Sequence, residues 1–229
     1  MQDSPYEQRP WLKQYDYWIP KDINFPRQSI NQILDLAALY FRDRPATAFL
    51  GAQLTFAEIK RQAMCLAAAL ASLGIKKGDC VGVMLPNCPQ YLISFFAITR
   101  LGAIVTNVNP IYTAREVELV AKDSGMRVLI TLDLLTEVAQ SVQRQTSIAQ
   151  IISTSAQEYS AQPPTEATIP AGTLSFSALI AAGKPSELPV VQINAEEDVA
   201  ALVYTGGTTG VPKGAMLTHF NLYAALTQC

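Results

Sequence analysis

The sequence predicts an α/β fold: a mostly parallel sheet flanked by helices, in three layers. Three observations carry this. Short apolar runs bounded by Gly, Pro, Asn or Asp recur along the chain, stretches with helical periodicity lie between them, and no internal repeat of fixed period is visible. Strands that are apolar throughout, rather than alternating, are those covered on both faces, which is the condition of a parallel sheet packed between helices.

The elements follow in order. Residues 1–28 carry Trp11, Tyr15, Tyr17, Trp18, Pro20, Phe25 and Pro26 and read as an extended aromatic arm packed on a body. Ile30, Ile33, Leu34, Ala37, Ala38 and Phe41 recur at helical spacing, with Ser29 as the expected N-cap. Thr55 followed by Glu58 is a capping box that opens an Ala/Leu-rich helix, and Gly74 closes it. Cys80–Leu85 is a buried strand, Pro89 to Gly102 a helix, and Ile104–Val108 a second strand. A second capping box, Thr113 and Glu116, starts a helix that runs to Asp123 with Gly125 behind it. Arg127–Thr131 is a third strand, Leu134–Gln145 a polar-faced helix and Ile148–Thr154 a fourth strand. Ser155–Gly172, rich in Ser, Gln, Pro, Thr and Glu, reads as an exposed loop, and Leu174–Ala182 as a short helix ending at Gly183. Val199–Tyr204 is an apolar strand, and Ala215–Thr218 a returning one, followed by a helix from His219. The organisation expected is an arm over 1–28, an α/β subdomain over 29–183, and the start of a next subdomain over 184–229.

Composition narrows the function classes. Of 229 residues, 49% are hydrophobic and only 16% charged, against about 25% charged in an ordinary soluble domain. Some surface is therefore expected to face something other than water. Seventeen Lys+Arg against nineteen Asp+Glu, with no basic block, exclude a nucleic-acid footprint. The four cysteines, Cys65, Cys80, Cys88 and Cys229, form no CxxC pair and there is one histidine, so a zinc site is not expected and free thiols in a reducing compartment are. Met1–Pro10 is polar and lacks an apolar core, so no secretory signal is read and a cytoplasmic location is expected. Cys80–Thr99 has no charged residue and is long enough to span a membrane. Pro86, Asn87, Pro89 and Gln90 break it, so a strand, a turn and a helix are expected instead.

One segment carries chemistry. Thr205-Gly206-Gly207-Thr208-Thr209-Gly210-Val211-Pro212-Lys213-Gly214 packs four glycines, three threonines and a lysine into ten residues with no carboxylate. Glycines let backbone N–H groups approach a ligand, hydroxyls add donors, and the lysine adds a mobile positive charge: the parts of a phosphate cradle. A Walker A loop is excluded, because Lys213 follows Pro212 and precedes Gly214, and so is the dinucleotide fingerprint, because Thr205 stands two residues before Gly207. A flexible glycine hairpin with an exposed lysine is the competing structural reading.

YTGGTTGVPKG, at Tyr204–Gly214, resembles the phosphate-binding signature of the adenylate-forming superfamily, which contains acyl-CoA synthetases, peptide-synthetase adenylation domains and firefly luciferase. Leu73–Asp79, Asn87-Cys88-Pro89-Gln90, Leu101-Gly102-Ala103, Asn107–Pro110 and Ala215–His219 are similar to the corresponding stretches of bacterial long-chain fatty-acid–CoA ligases. The resemblance covers essentially the whole chain, and makes it the first subdomain of the large N-terminal domain of such an enzyme. It implies attack of a fatty-acid carboxylate on the α-phosphorus of ATP with Mg²⁺, giving acyl-AMP and pyrophosphate, then displacement of AMP by the thiol of coenzyme A. It further implies that Tyr204, Thr205, Gly206, Gly207, Thr208, Thr209, Gly210, Lys213 and Gly214 bind the nucleotide phosphates, with Lys213 neutralising them and Thr205 helping to hold Mg²⁺. Fatty acid, ATP and coenzyme A are the expected partners, with peripheral membrane contact at the inner face and a homodimer as further expectations. The family's later glutamate for the metal, its ribose-binding aspartate and the lysine of its mobile C-terminal domain have no counterpart in these 229 residues. The chain is therefore expected to be the front part of a longer enzyme, inactive alone, with no catalytic residue assigned within it. The alternatives are an enzyme adenylating another acyl or aryl acid, or a non-catalytic nucleotide-binding module if the natural chain ends at Cys229.

Three other features read as structural. His219 is expected at the first turn of a helix, Cys88 as a small buried apolar group, and Glu196-Glu197-Asp198 as a solvated turn rather than a metal site.

Overall fold

The structure, a computed structural model, describes residues 6–164, 169–205 and 213–228. Seven strands form one sheet in the order β7-β6-β5-β3-β4-β8-β9. They are β3 (Cys80–Met84), β4 (Ile104–Asn107), β5 (Val128–Leu132), β6 (Gln150–Thr154), β7 (Leu174–Ser175), β8 (Val199–Thr205) and β9 (Lys213–Thr218). All neighbours run parallel except β8 and β9, which form an antiparallel hairpin. A separate antiparallel pair, β1 (Pro45–Phe49) and β2 (Ala52–Thr55), lies outside the sheet.

The helices are α1 (Asn31–Tyr40), α2 (Phe56–Ser72), α3 (Pro89–Arg100), α4 (Ala114–Ser124), α5 (Thr136–Gln143), α6 (Phe176–Ala182) and α7 (His219–Thr227). On one face of the sheet, Val81, Val83, Val105, Ile130 and Ile152 pack against Leu66 and Leu70 of α2, Ile93 and Ile98 of α3, and Phe176 of α6. On the other face, Met84, Leu129 and Ile151 pack against Val117 and Val120 of α4 and Ala139 and Val142 of α5. Successive strand residues alternate between two buried clusters, so the predicted three layers are present and the strands are apolar on both sides.

Both predicted capping boxes are present: Thr55 with Glu58, and Thr113 with Glu116, each hydroxyl accepting from the N3 backbone N–H while the Glu carboxylate accepts from the cap N–H. Gly125 ends α4 at φ 63°, a left-handed position that glycine adopts without strain. The charge-free stretch from Cys80 resolves into β3, a turn and α3, and among the described residues no helix is long and apolar enough to cross a membrane.

Four local expectations are corrected. Leu174 and Ser175, expected as helix, pair with Ile152 and Ser153 of β6 as a short strand, and the Ser175 hydroxyl then caps α6 by accepting from the Ala178 N–H. The loop after Thr154 is not exposed throughout, because a 3-10 turn at Ala156–Tyr159 packs Tyr159 against the core and bonds its hydroxyl to Gln62. Ser29 precedes the cap position, which Ile30 occupies, and its hydroxyl lies 3.1 Å from His219 Nδ1. The arm is less packed than expected, since Tyr17 and Trp18 are exposed and a 3-10 turn occupies Pro10–Gln14. Its anchor to the body is at its end, where Phe25 meets Phe220 edge-on and Arg27 pairs with Glu196. Residues 184–229 supply β8 and β9 to the same sheet as the strands before them.

Candidate functional site

The topology itself marks a crevice. The chain leaves β3 into α3 on one face of the sheet and leaves β4 into α4 on the other. Where neighbouring parallel strands send their connections to opposite faces, the loops part at the carboxyl ends and leave a ligand-sized gap. A cavity of about 250 Å³ lies there, lined by Leu85 and Asn87 after β3, Asn107, Val108 and Asn109 at the end of β4, Tyr91 of α3, and Tyr204 of β8. Its described lining is polar but uncharged. Asn107 Oδ1 accepts from the Tyr91 hydroxyl at 2.7 Å, and Asn109 Oδ1 accepts from the Ile111 N–H at 3.1 Å, so both amides are held in place. Burial raises the Tyr91 phenol despite the Asn107 contact, which keeps it a neutral donor.

The candidate phosphate segment follows β8 in sequence and runs into β9, and Tyr204, just before it, lines this crevice. Tyr204 pairs with Gly214 and Thr205 with Lys213 across the hairpin, these being its last two pairs. Gly206, Gly207, Thr208, Thr209 and Gly210, with Val211 and Pro212, lie outside the described residues. Lys213 is exposed at the start of β9. Tyr204 is buried, and its hydroxyl donates to Asp123 Oδ2 of α4 at 2.5 Å. Burial first, then the Asp123 carboxylate, push this phenol well above its ordinary pKa. Gly214 has a steric reason to be glycine: a Cβ there would meet Cζ of the Tyr204 ring at 3.0 Å. Sequence reasoning missed Asp123, which stands 81 residues from Tyr204 with no motif around it. It also missed the Tyr91–Asn107 pair.

The other singled-out residues fall into structural places. His219 is fully buried at the first position of α7, where its N–H donates to the Asp198 carbonyl and Nε2 has no described partner. Burial holds its pKa down at about 4, the Asp198 charge opposing and Lys77 adding to the shift. Cys88 is buried and its thiol is pushed up by burial, the opposite of an activated nucleophile. Asp198 pairs with Lys77 at 2.6 Å and Glu196 with Arg27 at 3.2 Å, so this acidic turn is engaged in ion pairs. Among the described residues no group of three or more His, Cys, Asp or Glu could hold a metal ion.

A mostly parallel sheet with helices on both faces and a crevice at the carboxyl ends of its strands defines the doubly wound class of α/β protein. Residues 34–229 match the model of the AMP-binding enzyme family, and the chain belongs to that family. It is 38% identical over 235 residues to the long-chain-fatty-acid–CoA ligase of Bacillus subtilis (strain 168), covering 97% of this chain and 42% of that protein. It is similar to the crystal structure of a long-chain-fatty-acid-CoA ligase (FadD1) from Archaeoglobus fulgidus, with a TM-score of 0.77 and 30% identity over 94% of this chain and 41% of the other. It is also similar to the anthranilate CoA ligase AuaEII in complex with anthranoyl-AMP, with a TM-score of 0.75 and 26% identity over 85% of this chain and 35% of the other. The chain thus spans less than half the length of these relatives.

Proposed function

We propose that the protein containing these residues is a long-chain fatty-acid–CoA ligase. The observation that carries the reading is the Tyr204–Gly214 sequence in a chain of the AMP-binding family, with Tyr204 lining the carboxyl-end crevice and pairing with Gly214 across β8 and β9. In the reaction a fatty-acid carboxylate oxygen bonds to the α-phosphorus of ATP as the bond to pyrophosphate breaks. The sulfur of coenzyme A then bonds to the acyl carbon as AMP leaves, the thiol proton being released.

The difficult charge is the one that develops on departing pyrophosphate. Donors and a cation fixed in advance stabilise it without reorganising during the step. Lys213 supplies the cation, and Thr205 with Gly206–Gly210 supplies hydroxyl and backbone donors. Mg²⁺ would add charge neutralisation at the phosphates. The described residues hold no carboxylate cluster to complete its site, so Thr205 would be at most a partial contact. Access to a lipid substrate from the cytoplasm, with peripheral contact at the inner face of the membrane, belongs to the same reading.

The test is fatty-acid-dependent exchange of pyrophosphate into ATP by the full-length gene product. Lys213→Ala should lower kcat by about 10²–10³, the cost of removing one preorganised charge-stabilising group. Exchange at the wild-type rate would remove Lys213 from this role. Exchange driven by an aryl acid in preference to a long-chain one would favour the aryl reading that the anthranilate ligase likeness supports. ATP binding with no acid-dependent exchange would favour a non-catalytic module.

A further inference from the structure

We propose that Asp123 is a positioning residue for Lys213, acting through Tyr204 and Gly214. The inference rests on the ligase reading for the identity of the ligand, ATP, and on described geometry for the rest.

Among the described residues β9 is an edge strand with one neighbour, β8. Six ladder pairs join the two strands, Thr205–Lys213 being the outermost described pair, and ladder pairing on one side alone constrains an edge strand less than packing on both. Tyr204 counters this on both strands at once. Its hydroxyl bonds to Asp123 of α4, which ties β8 to a helix packed on the core. Its ring lies across Gly214, which ties β9 to the same anchor, since an added Cβ there would stand 3.0 Å from Cζ and 3.2 Å from the hydroxyl oxygen. The position of Lys213, next to Gly214, follows from this stack.

Asp123 has little to do for its own helix. It sits in the last turn of α4, where the exposed carbonyls carry partial negative charge and a carboxylate is unfavourable. Gly125 already ends the helix in the left-handed conformation. A carboxylate placed there against local preference, and bonded 81 residues away to the residue that opens the Gly/Thr/Lys segment, is explained by what it holds. The raised phenol keeps Tyr204 a donor to Asp123 throughout the neutral range.

The experiment compares the full-length gene product with Asp123→Ala, Asp123→Asn and Tyr204→Phe variants. KM for ATP and for the acid are measured, together with hydrogen exchange of the 199–218 peptides in the absence of ligand. Asp123→Ala and Tyr204→Phe should raise KM for ATP about tenfold, as expected for losing a hydrogen bond to a charged group. KM for the acid should move less than about twofold, and exchange in 199–218 should quicken while other peptides hold. Asp123→Asn, whose amide oxygen still accepts from the phenol, should stay near wild type. An unchanged KM for ATP in Asp123→Ala overturns the proposal, as does an Asn variant as damaged as the Ala one. A wild-type protein that neither binds ATP nor activates any acid overturns the ligase reading instead, and Lys213→Ala in the same assays keeps that failure separate from failure of the Asp123 tether.

Discussion

The sheet has two unlike halves. In β3, β5 and β6 nearly every residue is buried, because helices cover both faces. In β9 every residue is exposed or half-buried, with Met216 70% exposed, and among the described residues the strand has one neighbour. The parallel half is held by diffuse apolar burial, in which any one contact is a small share. The hairpin half is held by a few identifiable contacts: Tyr204 with Asp123, His219 with Ser29, and Phe25 with Phe220. The half that bears the candidate site is therefore the one whose geometry single side chains decide, which is where a ligand-responsive segment would be expected.

The largest effect should come from the parallel half. Ile130, fully buried at the centre of β5, packs toward α2 and α3. Ile130→Ala should destabilise by about 4 kcal/mol through lost transfer energy and the cavity left behind. Urea unfolding of the 229-residue chain would check it. A loss under about 1 kcal/mol would mean that this half is not the rigid one.

That division also explains what could be read in advance. The parallel strands were legible because burial on both faces demands unbroken apolar runs, and α2 and α4 because their capping boxes are local in sequence. β1, β2 and β7 were not, since each is short and owes its existence to a partner strand. Leu50 and Gly51, both at positive φ between two short β-prone runs, were the available signal for the β1–β2 turn. At the candidate site the chemistry was legible and the scaffolding was not. Composition alone marks Thr205–Gly214, whereas no local pattern connects Tyr204 to Asp123 or His219 to Ser29, contacts made across 81 and 190 residues.

The next effect in size concerns the hairpin half and depends on pH. His219 has a pKa held at about 4 by burial, against 6.5 when unfolded. As pH falls from 6.5 toward 4 the unfolded chain takes up a proton that the folded chain refuses, so stability falls over that window, by up to about 3 kcal/mol. Asp198 and Lys77 are the charged groups that act on the ring, and they pull its pKa in opposite directions. His219→Gln should flatten the wild-type slope of unfolding free energy between pH 6.5 and 4.5 while leaving the slope from other groups. Equal slopes in the two proteins would show that the ring is not held neutral by its surroundings.

The smallest effect is the most discriminating. Met216 stands opposite Leu202 on β9 with its side chain largely in water. In the 229-residue chain Met216→Lys should change unfolding free energy by less than about 0.5 kcal/mol, as for other surface positions. The chain covers 42% of its Bacillus subtilis relative, and under the ligase proposal a longer gene product would carry residues able to cover this strand. If they do, the same substitution buries an unpaired ammonium there and should cost more than about 1 kcal/mol. Thermal unfolding of Met216→Lys in both lengths would then give two different answers for one residue. That difference would assign the low charge content of the sequence to a surface meant to be covered. Equal small effects would leave β9 a solvent-facing edge in the whole protein, and the shortage of charge would need another cause.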